Sequence, residues 1–415
     1  MIENFEIKMK FFVGIDLGGE DHKVCIITEG GDILCRSTFA HSGAGLDALL
    51  NWLAQSTGPD PCAVGIGMES PRGVMVEALL ERKYSVFSIN PKQLDRFRDR
   101  FSVAGAKDDH RDALVAAHSL RTDRPCFRRL VPEHPKVLRL RELSRADDQI
   151  KEELQRAANQ LGDFLRRYFP SLLTLCPGAD ERWLWALLER APLPSQAARL
   201  TLSRLQKLLN QHRIRRFSAE HLHSLLQTKA LPLAPGSGEA IAEQVMLLLP
   251  RLVLLRQQKS ELDEKTDQLL EEMASDENYP EHRDVTILRS VPGLGRVFSA
   301  TVLSEAHQAL TDRDYRALRG LAGVAPVTRQ SGKSRRTSMR RACNRRFRTA
   351  LHNATAVHVQ YDERARRQYA ELRRQKHTHG RALRGVGDRL LALVISMLKH
   401  GTLYDAERRK VATVT

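Results

Sequence analysis

The chain has 415 residues, with 66 Lys or Arg against 50 Asp or Glu, a formal net charge of +16 and a pI near 9.8. That length suits two or three domains with a full core, and the excess of positive charge argues for a polyanionic partner, nucleic acid ahead of an acidic membrane surface. Six scattered cysteines without a CxxC pair argue against a zinc ribbon or disulfide scaffold and suit a reducing cytoplasm; the opening MIENFEIKMK has no apolar signal region, and the apolar run Leu390–Leu398 is too short to cross a bilayer.

From Phe11 to about Leu120 the pattern is α/β. Strands are expected at 11–17, 23–28 and 33–39, a helix at about 44–54, a strand over CAVGIGM, a helix at about 71–82 and a strand over SVFSI. Asn90-Pro91 breaks the chain, and an alanine-rich helix begins near Asp109. This succession predicts a mixed sheet covered by helices. From about Lys136 to Phe169 the period changes. Ile150, Leu154, Ala157, Leu161, Phe164 and Tyr168 recur at steps of four and three, the pattern of a long amphipathic helix, either one arm of a coiled coil or an ordinary packed helix. A second arm runs through Leu248, Leu252, Leu255, Leu262, Leu269 and Met273. Lys259 and Thr266 interrupt its seam, and Pro250 either kinks the helix or marks its start. The two arms together expose an apolar seam that predicts oligomerisation through 140–168 and 248–273. Between them lies a helical insert, about 180–230, closed by the linker-like ALPLAPGSGEA.

The last region, about 283–405, is mostly helical and basic. It opens with ILRSVPGLGRVFSATVL, in which Gly293 and Gly295 separate two apolar helical segments. This is either a helix-hairpin-helix, whose glycines let backbone N–H groups approach a phosphate, or a structural turn.

Four carboxylates stand out. Asp16 ends an apolar strand in GIDLGG, where a charge is costly without a positive neighbour. Glu69 ends a second such strand, at the edge where open α/β sheets build their sites. Asp109 and Asp112, three apart, share one helix face; Asp108 and Asp109 also suit the first turn of a helix as simple dipole partners. GIDLGG by itself resembles both the phosphate-loop strand of actin-like sugar kinases and the first strand of ribonuclease-H-like nucleases. The kinase reading needs a second Asp-Gly-Gly strand and a Gly-rich adenosine loop, which the sequence lacks. An Asp-Glu-Asp-Asp set supplies the oxygen ligands that divalent cations need to polarise a phosphodiester.

The basic end carries the other signal. Between Ser331 and Ala350 lie seven Arg and one Lys with no acid: Lys333, Arg335, Arg336, Arg340, Arg341, Arg345, Arg346 and Arg348. Guanidinium forks match phosphate geometry, so this stretch is expected to bind nucleic acid.

Taken together, VGID with Asp16, GMES with Glu69, INP at 89–91, KDDHRDA with Asp109 and Asp112, then VPGLG, LAGVAP, SGKS, RRACNRRFRTALHNA and LKHGTLYD are similar in order and spacing to the DEDD transposases of bacterial insertion sequences, relatives of the Piv DNA invertases. The resemblance covers both ends and leaves about 170–240 unmatched. It departs at Gly19, where the family usually has Lys, and at Cys343, where it usually has Gly before Asn344. It implies an N-terminal RuvC-like domain (1–125) whose four acids bind Mg2+, a helical coiled-coil region with an insert (126–280), and a helical C-terminal transposase domain (281–415). That last domain would supply a nucleophilic serine, matching Ser331 in RQSGKS, with Ser334 and Ser338 as neighbours. DNA partners, a structured bridge RNA and a homo-oligomer, dimer or tetramer, are implied with it. On the residues alone two other functions stay open: a RuvC-like junction nuclease using water, with Ser331 an ordinary turn serine, and a nucleic-acid-binding protein without catalysis.

Overall fold

The apolar runs at the start of the chain become neighbouring strands of one sheet. A computed structural model describes residues 9–69, 72–100, 109–332 and 334–407; Lys333 and the side chain of Asp109 lie outside the described residues. The chain divides into two compact units between His134 and Pro135.

In the first unit, β1 (Phe11–Leu17), β2 (Asp21–Thr28) and β3 (Ile33–Ala40) form an antiparallel meander. Helix α1 (Gly43–Thr57) follows, its start capped by the Ser42 hydroxyl accepting from the Gly45 N–H. β4 (Val64–Met68) returns parallel to β1. Then come α2 (Val74–Glu81), β5 (Ser85–Ser88) parallel to β4, α3 (Pro91–Arg98), α4 (Asp109–Asp123) and the two-residue β6 (Arg128–Arg129), antiparallel to β5. The sheet order is β3-β2-β1-β4-β5-β6. Val13, Ile15, Val64 and Ile66 point into a core with Leu49, Leu53, Val76 and Leu79 of α1 and α2. Phe12, Cys25 and Ile27 point the other way, into a core with Ala113, Ala116, Ala117 and Leu120 of α4.

Asn90-Pro91, expected to break the chain, instead opens α3. The Asn90 side chain accepts from the Lys92 N–H and Pro91 takes the first helical position, the usual place for a helix to begin.

The second unit is built on a helical hairpin, α5 (Pro135–Tyr168) and a later long helix. Between them lie the short helices α6 (Arg182–Arg190), α7 (Pro194–Ala197), α8 (Leu202–Gln211) and α9 (Ala219–Leu226). The long partner, α10 (Ser237–Ser275), starts inside the expected linker, after Gly236 in a left-handed conformation, and runs unbroken through Pro250. Beyond it come α11 (His282–Ser290), α12 (Arg296–Glu305), α13 (His307–Thr311) and α14 (Tyr315–Leu321), then the antiparallel hairpin β7 (Val327–Ser331) and β8 (Ser334–Ser338), and finally α15 (Arg345–Tyr361), α16 (Glu363–Arg374) and α17 (His379–His400).

The arms α5 and α10 run antiparallel and bury their seams against each other within one chain. At one end Ala157, Leu161 and Leu165 share a core with Leu248, Leu252 and Leu255, closed over by Trp183, Trp185, Leu205, Leu209 and Leu222 of the insert. At the other end Val137 and Leu140 join Leu269, Leu270 and Met273 in a core shared with α11, α12, α15 and α17. The seam expected to be open for assembly is therefore filled intramolecularly. On the two arms, the large apolar side chains that stay exposed form a different stripe of α10: Met246, Leu247, Val253 and Leu254. Lys259, the polar break in the heptad, lies 2.9 Å from the buried Asp147 carboxylate, which Lys151 also contacts. Thr266 turns its hydroxyl back to the Leu262 carbonyl.

Candidate active site and nucleic-acid interface

Side-chain alternation fixes where the acids go. Gly14 of β1 and Gly67 of β4 are partners in register, and both face α4. A methyl built on Gly14 would lie 1.8 Å from the Ala113 carbonyl oxygen, and one on Gly67 would lie 3.2 Å from that of Ala116. These glycines let α4 lie against the sheet backbone. Two residues further along each strand, and one beyond the last rung Ile15–Met68, come Asp16 and Glu69. Strand alternation gives both the α4 face. Because Gly67 meets Ala116 and Leu120 whereas Gly65 meets Leu120, α4 runs against the strand direction. Its first turn, with Asp109 and Asp112, therefore lies at the carboxyl edge, where Asp16 is the last residue but one of β1 and Glu69 follows β4.

The three described carboxylates differ in setting. Asp16 is half-buried and Glu69 is exposed. Asp112 is 5% exposed, so its charge needs a partner. Arg98, the last residue of α3, supplies it through two bonds, Nε to Oδ1 at 2.7 Å and Nη2 to Oδ2 at 2.9 Å, and also reaches Asp95 at 2.8 Å. The bond to Asp112 is the main cause that raises the Arg98 pKa above its ordinary value. Sequence reading missed Arg98; its signal was the cap Asn90-Pro91 with Asp95 and Arg98 three apart on the helix that follows. Each Asp112 oxygen accepts one bond from Arg98 and keeps a lone pair, so the donor type at this edge is the one a hard divalent cation takes, but the Asp16, Glu69 and Asp112 oxygens do not all lie within 4.8 Å of one another in this structure.

Among the described residues, the three ligand-type side chains whose donor atoms come within 4.8 Å of one another are Cys176, Asp180 and Glu181, in the insert. They make a poor metal centre. Arg216 takes both Glu181 oxygens, at 2.9 and 2.7 Å, Trp183 Nε1 donates to one of them, and burial pushes the Cys176 thiol up to about 11.

In the second unit, Ser331 is the last residue of β7, directly opposite Ser334, with the turn made at Gly332, whose φ is 52°. Both serines are exposed, and Arg329 and Arg336, the next pair but one in the ladder, share their face. Arg335 pairs with Gln330 on the other face. Two like charges directly opposite repel one another unless an anion lies over them. Arg329 was not singled out from the sequence; only the hairpin register brings it beside Ser331. Ser338 sits at the base of the hairpin, opposite Val327.

The remaining basic residues fall into two groups. Arg341 and Arg345 are exposed. Arg346 is committed elsewhere: its guanidinium donates to Asp148 at 2.7 Å, Glu305 at 2.8 Å and Ser144 at 2.9 Å, an internal network. Asn344 caps α15, accepting from the Phe347 N–H and donating to Glu305. Gly293 does not open towards solvent. It has φ 92°, and a methyl there would strike the His358 nitrogen at 2.6 Å, so it serves close packing on α15. Gly295 is open and precedes α12.

Comparison with known proteins covers both ends of this arrangement. A family model described as transposase, the DEDD type of IS110, matches residues 13–170, and one described as transposase of the IS116/IS110/IS902 family matches residues 285–370. A putative transposase of Sinorhizobium fredii, y4uE, is 43% identical over 209 residues, a match spanning 50% of this chain and 58% of that relative. The mini-circle putative transposase for IS117 of Streptomyces coelicolor is 30% identical over 415 residues, 97% of each chain. An uncharacterized 43.6 kDa protein of insertion element IS110 from the same species is 25% identical over 405 residues, 95% of each.

Proposed function

The chain belongs to the IS110/IS116/IS902 family of transposases, and from that premise we propose that it cleaves and rejoins DNA strands through a serine-linked intermediate. The observation that carries the reading is that Asp16, near the end of β1, Glu69, just after β4, and the first turn of α4 lie at the same edge of the sheet. The sheet order β3-β2-β1-β4-β5, with an antiparallel meander and then parallel strands, supports a RuvC-like, ribonuclease-H-like catalytic domain over 1–125. We also propose the further division into a helical region, 126–280, and a C-terminal transposase domain, 281–415.

In this mechanism Asp16, Glu69, Asp109 and Asp112 would hold Mg2+, which when bound supplies charge neutralisation at the scissile phosphate. Ser331 is the nucleophile. Its Oγ loses its proton to a base and forms a bond to phosphorus; the phosphorus–oxygen bond to one strand end breaks, and that oxygen leaves as a hydroxyl. A hydroxyl from the joining strand then attacks the phosphoserine and returns the serine. Arg329 and Arg336, on the serine's face of the hairpin, would bind the non-bridging phosphate oxygens, and Lys333, Arg335, Arg340, Arg341, Arg345 and Arg348 the flanking backbone. Arg346 acts inside the fold.

Full-length protein, Mg2+ and a cleavable DNA test this directly. The wild type should yield a covalent adduct on the peptide containing Ser331 and carry out strand exchange. Ser331→Ala should bind DNA with neither product, and Asp112→Asn should lose both while binding is kept. An adduct on Ser334 moves the nucleophile across the hairpin. Cleavage by Ser331→Ala, with no adduct in the wild type, leaves a water-using nuclease.

We further propose a bridge RNA as guide, a homo-oligomer, dimer or tetramer, and a cytoplasmic setting. Among the described residues no helix is long and apolar enough to cross a membrane. The exposed stripe Met246, Leu247, Val253 and Leu254 supports contact with a second copy. Light scattering of the native complex should give a dimer or tetramer, and RNA recovered from it should map beside the gene; a monomer, or random cellular RNA, contradicts these two points respectively.

A further inference from the structure

Most arginines of the second unit that face an acid are paired with one: Arg313 with Asp284, Arg319 with Asp388, Arg346 with Asp148 and Glu305, Arg367 with Glu363 and Arg374 with Glu371. One group breaks this pattern. Gly387 of α17 packs on Leu351 and Thr355 of α15, where a methyl would lie 3.0 Å from the Thr355 hydroxyl. That close crossing brings Arg384, one turn earlier in α17, towards Arg348, one turn earlier in α15, with Arg381 beside them. Arg340 joins through its carbonyl, which accepts from Arg348 Nη2 at 2.9 Å. Among the described residues no carboxylate comes within 4.0 Å of any of these four guanidinium groups.

We propose that Arg381 and Arg384 of α17 extend the Arg340 and Arg348 end of the basic stretch into one phosphate-binding site for the backbone of a nucleic acid. The proposal rests on the reading that this unit handles nucleic acid. Three observations carry it. The Nε donors of Arg340 and Arg348 are buried without a partner, an unmet demand that is satisfied only if these side chains turn outward to an acceptor. Arg348 is held in place: it lies against Gly323, whose φ of 68° and missing side chain leave room for it, and it contacts the Cys343 sulfur. Arg384 folds back over the first turn of α17, its Nη1 3.8 Å from where a methyl on Gly380 would be. The helix there has no side-chain cap from Thr378 and presents its positive end. Burial first, and then the charges of Arg381 and Arg348, push the Arg384 pKa down. A phosphodiester, singly charged and rich in acceptors, supplies what the cluster lacks.

The test uses the full chain, labelled duplex DNA and labelled single-stranded RNA, with binding measured from 50 to 200 mM salt. Arg384→Gln and Arg381→Gln should each lower the slope of log affinity on log salt, by about 0.9 on duplex DNA or about 0.7 on a single strand. Their thermal midpoints should stay level or rise, because removing one of several crowded charges relieves repulsion. Arg367→Gln, which removes an arginine already paired with Glu363, should leave the slope unchanged. A fall on DNA alone or on RNA alone supports the site and names its source. Unchanged slopes in both cluster variants while the wild type binds overturn the proposal. So does an equal fall in Arg367→Gln, or a fall accompanied by a lowered midpoint. A wild type that binds neither probe removes the underlying nucleic-acid reading as well.

Discussion

At Gly14 the missing side chain positions the acidic edge. With the Ala113 carbonyl 1.8 Å from where a methyl would be, and the Ala117 nitrogen at 2.7 Å, backbone meets backbone and neither can yield by a rotamer change. Gly14→Ala should push α4 off the sheet and cost about 3 kcal/mol or more. Gly19→Ala, whose methyl would meet nothing within 4 Å, should cost less than about 0.5 kcal/mol. Denaturant titration of the two variants makes the comparison; equal midpoints would mean that α4 does not depend on the close approach. At this scale the sequence was informative about chemical type and silent about partnership. Carboxylates at strand ends are visible as letters. That Arg98 holds Asp112, or that Arg346 is spent on Asp148 and Glu305, depends on which helices cross, and no local pattern encodes that.

The long helices were legible because burial on one side repeats every three or four residues over many turns. The short elements were not. The hairpin β7–β8 carries no alternation of apolar and polar residues, since all but one of its ten residues are exposed, with Val327 half-buried; without that signal the arginine-rich stretch reads as helix. The polar break in the α10 seam was visible, but its use appears only in the pairing with α5. Lys151 and Lys259 hold the Asp147 carboxyl below its ordinary range, against the upward push of burial. A depressed carboxyl contributes stability that is complete above its unfolded pKa, about 3.9, and is lost as pH falls through the lower folded value. Lys259→Met leaves Asp147 with Lys151 alone and should therefore destabilise the protein by about 1.5 kcal/mol at neutral pH, and the gap to the wild type should narrow below about pH 4. Melts at pH 7 and pH 3 measure this. A gap that stays constant would assign the loss to packing rather than to the ion pair.

On the scale of the whole chain, the α/β beginning and the basic helical end were readable, and so was the hairpin that starts the second unit. The filling of its seam was not, because a heptad pattern does not say whether the partner helix comes from the same chain. Within the second unit, α5 and α10 hold two hydrophobic cores at opposite ends. The 34 residues of α5 make it about 51 Å long. Such a hairpin constrains how the gene can change. One residue added to one arm turns everything beyond it by about 100° and advances it by about 1.5 Å, which takes the insert off its seat. Seven residues added to both arms restore the facing within about 20° and lengthen the hairpin by about 10.5 Å. Length variation in these arms is thus expected in paired steps of seven, whereas the loops between α6 and α9 can drift one residue at a time.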